Sequence, residues 1–217
     1  AENIDDDTAA VFIEPVQGEG GIFALPAETG NKITEACRKH SALLVSDEIQ
    51  SGLGRCGAPL ASSLTGLDPD MVCLAKGLAG GIPAGALVWK KELGDFLPHS
   101  HGSTYGGNEL AATVSLAVLS MVMHSELPQK AARSGEFFRS RISAIESTHI
   151  KDVRGMGLLN GIELDIPSVG VVKALQENGL LSLTAGPRTL RFLPSFAAEE
   201  KDFEDAALIL ARTLEAF

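Results

Sequence analysis

Two residues with the chemistry of a cofactor site, Asp47 and Lys76, each follow a short apolar run in the sequence. Residues 43–45 are Leu-Leu-Val, and residues 71–75 are Met-Val-Cys-Leu-Ala. Such runs predict buried parallel strands, and ligands of open α/β sheets bind outside the carboxyl ends of these strands. We therefore predict that the Asp47 carboxylate and the Lys76 amine face one crevice. This pair suits a lysine that forms a Schiff base with pyridoxal 5′-phosphate (PLP), while the acid keeps the pyridine nitrogen protonated.

Nearby polar groups could complete such a site. Gln50 follows Asp47 closely and could donate to the phenolate oxygen of the ring. Residues 102–108 place the hydroxyls of Ser103 and Thr104 ahead of a predicted helix start, where phosphate binds readily. Each group taken alone has an ordinary alternative: a solvent-exposed lysine, a salt-bridged aspartate or a surface glycine turn.

A second pattern points to a different cofactor. Residues 52–57, Gly-Leu-Gly-Arg-Cys-Gly, match the G-x-G-x-x-G pattern of dinucleotide-binding proteins. However, Ala58-Pro59 is a poor continuation into a helix, and the next predicted strand ends in Lys76, where a dinucleotide site needs an acid for the ribose. A dehydrogenase that uses this stretch is therefore the less favoured alternative.

The composition describes an ordinary globular protein with an acidic balance of charge. The chain has 217 residues, of which 45% are hydrophobic, and its formal net charge is −10. This charge argues against a nucleic-acid partner and against an anionic membrane surface. Cys37, Cys56 and Cys73 fit no metal or redox spacing, which predicts reduced thiols, no metal site and a cytoplasmic location.

The first ninety residues alternate between strand-like and helix-like patterns. The predicted elements are strands at 10–14, 43–47, 71–76 and 84–89 and a helix at 26–40. This alternation is typical of an α/β fold with a mostly parallel sheet covered by helices.

The later part of the chain changes character. Two helices are predicted at 110–123 and 129–147, with Asn108 as the N-cap of the first. After them come short strands at 153–164, 180–183 and 190–193 and helices at 169–178 and 199–216. We place the boundary near Ser125, which gives a large-domain segment at 1–124 and a small α+β domain at 125–217.

Four motifs, taken in order, resemble those of class III PLP-dependent aminotransferases. They are 14–21 (Glu-Pro-Val-Gln-Gly-Glu-Gly-Gly), 47–55 (Asp-Glu-Ile-Gln-Ser-Gly-Leu-Gly-Arg), 76–77 (Lys-Gly) and 101–108 (His-Gly-Ser-Thr-Tyr-Gly-Gly-Asn). The resemblance continues through 154–159, 185–187 and 191–192, so it covers nearly the whole chain. It implies a fold-type I PLP enzyme that works as a homodimer with shared active sites.

The resemblance also implies a role for each site residue in the first part of the chain. Lys76 would form the Schiff base with PLP and carry the proton between the substrate α-carbon and the cofactor. Asp47 would pair with the pyridinium nitrogen, and Gln50 would bond the ring hydroxyl. Thr104 would bind the phosphate of the neighbouring subunit's cofactor, with Ser103 close to the substrate.

Two further residues would bind the substrate carboxylate, again by resemblance. Arg191 would hold the α-carboxylate through two parallel hydrogen bonds, a geometry that arginine suits better than lysine. Glu19 would pair with Arg191 whenever no α-carboxylate is present, so that one site serves both half-reactions.

The later segments are most similar to family members that transfer the terminal amino group of N-acetylornithine to 2-oxoglutarate in arginine biosynthesis. Thr184 stands where those enzymes often carry asparagine, and Cys56 stands where the family usually has threonine. Ornithine, succinylornithine and 4-aminobutyrate are therefore alternative donors. Family members are much longer, and their amino-terminal half carries a glycine-rich phosphate cradle and an aromatic residue that stacks on PLP. We expect this chain to be the carboxyl-terminal half of the enzyme, with an inactive partial chain as the alternative.

Overall fold

A computed structural model describes all 217 residues, which divide into two compact units. The first unit consists of Ala1–Pro15, Leu25–Leu53 and Ala58–Glu126. The second unit consists of Val16–Ala24, Gly54–Gly57 and Leu127–Phe217. Two early segments therefore fold with the later part of the chain, which the sequence-based division at Ser125 does not anticipate.

The chain forms strands and helices that are numbered in chain order. The strands are β1 Ala10–Ile13, β2 Val16–Gln17, β3 Phe23–Ala24, β4 Leu43–Asp47, β5 Met71–Leu74, β6 Ala86–Trp89, β7 Ile150–Met156, β8 Leu159–Leu164, β9 Leu183–Thr184 and β10 Thr189–Phe192. The helices are α1 Ala27–His40, α2 Glu109–His124, α3 Leu127–Ser143, α4 Ser168–Glu177 and α5 Glu200–Leu214. Short 3₁₀ turns lie at Ala61–Leu64, Lys76–Ala79 and Lys91–Leu93.

The first unit is built on a four-stranded sheet in the order β1-β4-β5-β6. Strands β1, β4 and β5 run parallel, and β6 is antiparallel to β5. The carboxyl ends of the three parallel strands therefore lie at one edge of the sheet. The predicted α/β class, with a mostly parallel sheet, is confirmed.

Helix α1 covers this sheet and confirms the helix predicted at 26–40. Its Ile33 and Cys37 pack with Ala42, Leu44 and Leu67 in the core of the first unit. Their spacing along the helix places Ile33 and Cys37 on one face, so burial of that face fixes α1 against β4. Strand β4 ends at Asp47.

The helical middle of the chain begins as predicted. The Asn108 side chain caps α2 by accepting the Ala111 N–H at 2.9 Å. The next helix, α3, begins at Leu127 rather than at 129 and ends at Ser143 rather than at 147. Pro128 does not delay this start, because proline is tolerated in the first turn of a helix. By length and composition no single helix could cross a membrane, and only α2 and α3 counted together pass that test.

The second unit contains an antiparallel sheet in the order β7-β8-β10-β9. One face of this sheet is apolar: Ile162, Leu164 and Leu190 are fully buried in a core shared with α3, α4 and α5. The run predicted at 153–164 is in fact two strands, β7 and β8, which reverse at Gly157 and Leu158. Gly157 makes this reversal with φ 54°, a conformation that glycine adopts without strain.

A two-stranded hairpin, β2 and β3, also belongs to the second unit. Gln17 pairs with Phe23, which leaves residues 18–22 as the connection; we call these residues the hairpin loop. The sequence predicts a glycine-rich turn here but not the flanking strands, which are only two residues each.

Candidate active site

Asp47 and Lys76 follow neighbouring parallel strands at the same edge of the first sheet. Asp47 is the last residue of β4 and pairs in register with Cys73 of β5, whereas Lys76 opens the 3₁₀ turn after β5. Burial and the Asp47 carboxylate both raise the pKa of the Cys73 thiol, so this negative charge acts across the strand pair. Both residues therefore follow neighbouring strands at one sheet edge, with β5 ending at Leu74 rather than at Lys76. That their side chains face one crevice stays a prediction.

The Asp47 side chain is oriented by its own backbone. Its Oδ1 accepts the Ile49 N–H at 3.0 Å, a local bond that holds the carboxylate just beyond the end of the strand. Asp47 and Gln50 are both half-buried. A half-buried, oriented carboxylate suits an interaction with one specific cation.

The neighbouring Glu48 is the buried support of this strand end. Its carboxylate accepts the Ser51 hydroxyl at 3.0 Å and the N–H groups of Ala61 and Ser62 at 2.8 and 2.7 Å. The two N–H groups open the 3₁₀ turn Ala61–Leu64, so the bonds join this turn to the segment that follows β4. A buried carboxylate is costly unless it is hydrogen-bonded in this way.

Lys76 has an unusual backbone conformation. Its φ is 48°, in the left-handed region where residues other than glycine are uncommon and strained. Leu78 and Ala79 of the same turn are buried, and α2 packs on this turn. Strain of this kind clusters at functional sites and needs support from the surrounding structure, which α2 provides here.

The predicted phosphate loop, residues 102–108, is exposed and leads into α2. The Ser103 hydroxyl accepts the Gly106 N–H at 3.0 Å, and the Asn108 side chain donates to the Tyr105 carbonyl at 3.0 Å. These bonds shape a tight turn in which Thr104 is exposed. A hydroxyl just ahead of a helix N-terminus fits a phosphate ligand in chemistry.

In the second unit, Arg191 and Glu19 meet as the sequence predicts. Arg191 Nη1 lies 2.5 Å from Glu19 Oε1, and it also donates to the Gly18 carbonyl at 3.1 Å. The Arg191 side chain is only 8% exposed, whereas that of Glu19 is 77% exposed. An arginine held in place beside an exposed and displaceable carboxylate is suited to exchange Glu19 for the carboxylate of a ligand.

The sequence analysis missed a row of polar residues beside Arg191. Arg154 Nη2 donates to Glu163 at 2.7 Å and to the Thr189 hydroxyl at 3.1 Å, and Thr189 donates to Glu163 at 2.8 Å. The Arg154 and Thr189 bonds lower the pKa of the Glu163 carboxyl. The sequence does carry a signal for part of this row. Asp152 and Arg154 lie on either side of Val153, a spacing that places them on one face of a strand.

Residues 52–57 do not form a dinucleotide site. The α-helix that such a site requires does not follow them, since the next helical element is the 3₁₀ turn Ala61–Leu64. Within the second unit, Arg55 donates to the Pro194 carbonyl at 2.6 Å and lies 4.5 Å from the centre of the Phe196 ring. This part of the stretch packs into the second unit.

The residues of the first unit fit PLP in chemistry. An oriented carboxylate, a strained lysine at the same sheet edge and hydroxyls before a helix are the groups that a pyridinium, an aldehyde and a phosphate require. The structure places Asp47, Gln50, Ser103, Thr104 and Lys76 in the first unit. It places Glu19 and Arg191 together in the second.

Comparison with known proteins identifies the family. The family model for class-III aminotransferases matches residues 1–214, and the chain therefore belongs to the class-III aminotransferases. Enzymes of this family use PLP.

Individual relatives are consistent with this assignment. The chain is 41% identical over 212 residues to acetylornithine aminotransferase of Bacillus subtilis, covering 97% of this chain and 55% of that protein. It is 41% identical over 204 residues to ornithine aminotransferase 2 of Staphylococcus saprophyticus, covering 92% of this chain and 52% of that protein. The structure of ornithine aminotransferase from Toxoplasma gondii with PLP at partial occupancy matches with a TM-score of 0.88 at 36% identity, covering 98% of this chain and 52% of that one. The chain thus spans about half the length of the curated relatives it matches.

Proposed function

We propose that this chain supplies part of a PLP-dependent aminotransferase that moves the terminal amino group of N-acetylornithine to 2-oxoglutarate in arginine biosynthesis. The observation that carries the proposal is the pair of Arg191 and Glu19. When the terminal amine of the donor reacts, no carboxylate is attached to the reacting carbon, whereas 2-oxoglutarate carries its α-carboxylate directly beside the reacting carbonyl. Because Glu19 is exposed and Arg191 is held in place, Arg191 can pair with Glu19 in one half-reaction and with the carboxylate of 2-oxoglutarate in the other.

The residues of the first unit would hold the cofactor and move the proton. PLP, when bound, supplies a conjugated ring that accepts electrons from the substrate carbon that bears the transferred amino group. Asp47 would keep the ring nitrogen protonated, and Gln50 would bond the ring hydroxyl. The Lys76 amine would bind the cofactor covalently and then take and return the substrate proton as a general base and acid.

The residues of the second unit would let one site accept the amine donor in one half-reaction and 2-oxoglutarate in the other. The Arg191 guanidinium would bind the α-carboxylate of 2-oxoglutarate or glutamate through two parallel hydrogen bonds. Glu19 would return to Arg191 in the other half-reaction. Ser103, in the first unit, would lie close to the substrate.

A comparison of amine donors tests this proposal. The full-length protein loaded with PLP would be assayed with 2-oxoglutarate and with N-acetylornithine, ornithine, succinylornithine or 4-aminobutyrate. We expect the highest kcat/KM for N-acetylornithine, and no activity in Lys76→Ala when Lys91→Ala, an exposed lysine of the same unit, stays active. No transamination of any donor by the wild-type protein would refute the function, and a higher kcat/KM for another donor would refute the substrate.

Ornithine is the second candidate donor, because one relative named as an ornithine aminotransferase matches at the same 41% identity as the acetylornithine aminotransferase of Bacillus subtilis. The two donors differ by one acyl group and by the charge of the α-nitrogen. An apolar difference the size of a methylene can be worth only about 1–3 kcal/mol in a pocket, whereas a polar or charged group can be worth more, so measured rates are needed to decide.

We further propose a homodimer in which Thr104 serves the neighbouring subunit's cofactor. In a mixed dimer of Lys76→Ala and Thr104→Val subunits, one site would then carry both substitutions and the other neither. Mixing two inactive proteins should therefore restore activity. If both residues acted within one subunit, each site would stay damaged and no activity would return.

The location and the extent of the active protein are also proposals. The three cysteines are free thiols, which supports the cytoplasm as the compartment. Since the chain spans about half of its relatives, we propose that activity requires the other half. Robust transamination by purified residues 1–217 would contradict this, and PLP binding without turnover by the full-length protein would favour an inactive remnant.

A further inference from the structure

The hairpin loop, which carries Glu19, has a strained backbone. Gly21 has φ 115°, which glycine adopts without strain, so the strain lies at Ile22, whose φ is 60°. Ile22 is β-branched, and such residues are genuine outliers in the left-handed region. Ile22 is nevertheless fully buried, with its N–H bonded to the Gln17 carbonyl at 3.0 Å. A strained segment persists only where other contacts hold it, so the contacts of this loop decide where Glu19 lies.

Arg154 provides several of these contacts. Its Nε donates to the Gly21 carbonyl at 2.7 Å, and its guanidinium lies 4.0 Å from the centre of the Phe23 ring. Its Nη2 is bonded to Glu163 and Thr189 of the sheet beneath. One planar guanidinium thus joins the loop to two strands, which the single ammonium of a lysine cannot do in the same geometry.

Gly161 is the sheet residue on which the hairpin loop packs. In the strand register it pairs with Arg154 on one side and with Arg191 on the other. A Cβ at position 161 would lie 2.8 Å from Ile22 Cβ, closer than carbon atoms can approach. Ile22 therefore rests directly on the glycine that separates the two arginines. The hairpin loop can pack this closely on the sheet only because position 161 has no side chain.

We propose that Arg154 is a positioning residue that sets the choice between the two substrates: by holding the hairpin loop at Gly21, it keeps Glu19 against Arg191. Its kinetic consequence rests on the proposed function. When a substrate α-carboxylate displaces Glu19, Arg154 still holds the loop, so only the exposed Glu19 side chain has to move. Without Arg154 the loop relaxes, Glu19 leaves Arg191 more often, and substrates that carry a carboxylate on the reacting carbon, such as glutamate, gain an advantage.

The test uses the full-length holoenzyme with Arg154→Met, Arg154→Lys and Gly161→Ala. Hydrogen exchange is measured on the peptide that covers residues 16–24, and kcat/KM is measured for N-acetylornithine and for glutamate. We expect exchange in Arg154→Met to be about tenfold faster, and the ratio of donor to glutamate kcat/KM to fall by about tenfold, the effect of losing a hydrogen bond to a charged group. Arg154→Lys should be intermediate. The control is Arg141→Met, an exposed arginine that also lies over a phenylalanine, Phe137.

Gly161→Ala displaces Ile22 while Arg154 stays in place, so it should also lower the ratio, and it keeps the proposal testable if Arg154→Met does not fold. Equal losses in both half-reactions would indicate a merely structural role and overturn the proposal, as would unchanged exchange in residues 16–24. If the wild-type protein transaminates neither substrate, the proposed function fails. The exchange measurement then still decides whether Arg154 holds the loop.

Discussion

Glu19 and Arg191 are separated by 172 positions in the sequence, and their side chains meet at 2.5 Å. The two partners differ in freedom, because Arg191 is nearly buried and Glu19 is mostly exposed. Water can solvate the exposed Glu19 carboxylate when it moves away, and the Arg191 guanidinium then keeps the Gly18 carbonyl as an acceptor. The pair can therefore open by movement of Glu19 alone.

Replacing Arg191 by lysine should slow the half-reaction with 2-oxoglutarate or glutamate more than the half-reaction with the amine donor. Lysine keeps the charge but not the paired hydrogen bonds, so we expect kcat/KM for 2-oxoglutarate and glutamate to fall by about 10- to 100-fold. The kcat/KM for the amine donor should fall much less. Steady-state kinetics with each substrate varied in turn measures this, with the exposed Arg188→Lys as the matched control. Equal losses for donor and acceptor would contradict the assigned role of Arg191.

Removal of the Asp47 charge should slow the chemistry without removing the cofactor. In Asp47→Asn the side chain keeps its size, but the ring nitrogen would lose the anionic partner that we propose for it. We expect kcat to fall by about 10²–10³-fold, the usual effect of losing one preorganised electrostatic group. Single-turnover absorbance changes of the bound cofactor measure the step. Asp68→Asn, whose carboxylate pairs with Arg38 and Lys90 in the same unit, should retain activity.

Glu48→Gln tests the buried support of the strand end. A glutamine side chain is neutral and has one acceptor oxygen, and the N–H groups of Ala61 and Ser62 bond to different oxygens of Glu48, so one of them loses its acceptor and the other loses a charged partner. We expect the free energy of unfolding to fall by about 1–3 kcal/mol. Urea unfolding followed by circular dichroism measures this loss. Ser51→Ala, which removes only one of the three bonds, should cost less; a larger loss in Ser51→Ala would argue against Glu48 as the support.

The Glu163 carboxyl should contribute to the loss of folding stability in acid. Its pKa is lowered in the folded state by bonds from Arg154 and Thr189, so it stabilises the fold above the ordinary carboxyl pKa of 4.5. This contribution is lost as pH falls from that value through the lowered pKa. We expect Glu163→Gln to show a smaller drop in Tm between pH 7 and pH 4 than the wild type. Glu146→Gln, an exposed glutamate of the same unit, is the control and should leave the drop unchanged.

Gly135→Ala should destabilise the second unit. A Cβ at position 135 of α3 would lie 1.7 Å from the Gly157 carbonyl oxygen, at the reversal between β7 and β8. Helix and turn must separate, and we expect a loss of about 1–3 kcal/mol, typical of overpacking. Thermal unfolding measures the loss, with Ser140→Ala on the same helix as the control. An unchanged Tm would show that the turn can move freely.

Much of the fold was predictable because its signals are local. The apolar runs before Asp47 and Lys76, the amphipathic face of α1 and the cap at Asn108 all appear in a few adjacent residues. The elements that escaped prediction depend on distant partners. The hairpin of β2 and β3 is too short to show a pattern, and the reversal at Gly157 lacks the asparagine or aspartate that commonly marks such turns.

The sequence by itself determined the class of chemistry, because a carboxylate and an amine after two apolar runs, with hydroxyls before a helix, already match the needs of PLP. Only the tertiary structure decided that residues 16–24, although early in the sequence, pack on β7, β8 and β10. The physical reason is that this placement depends on long-range contacts of Ile22, Gly161 and Arg154. Those contacts hold the strained backbone at Ile22 in place.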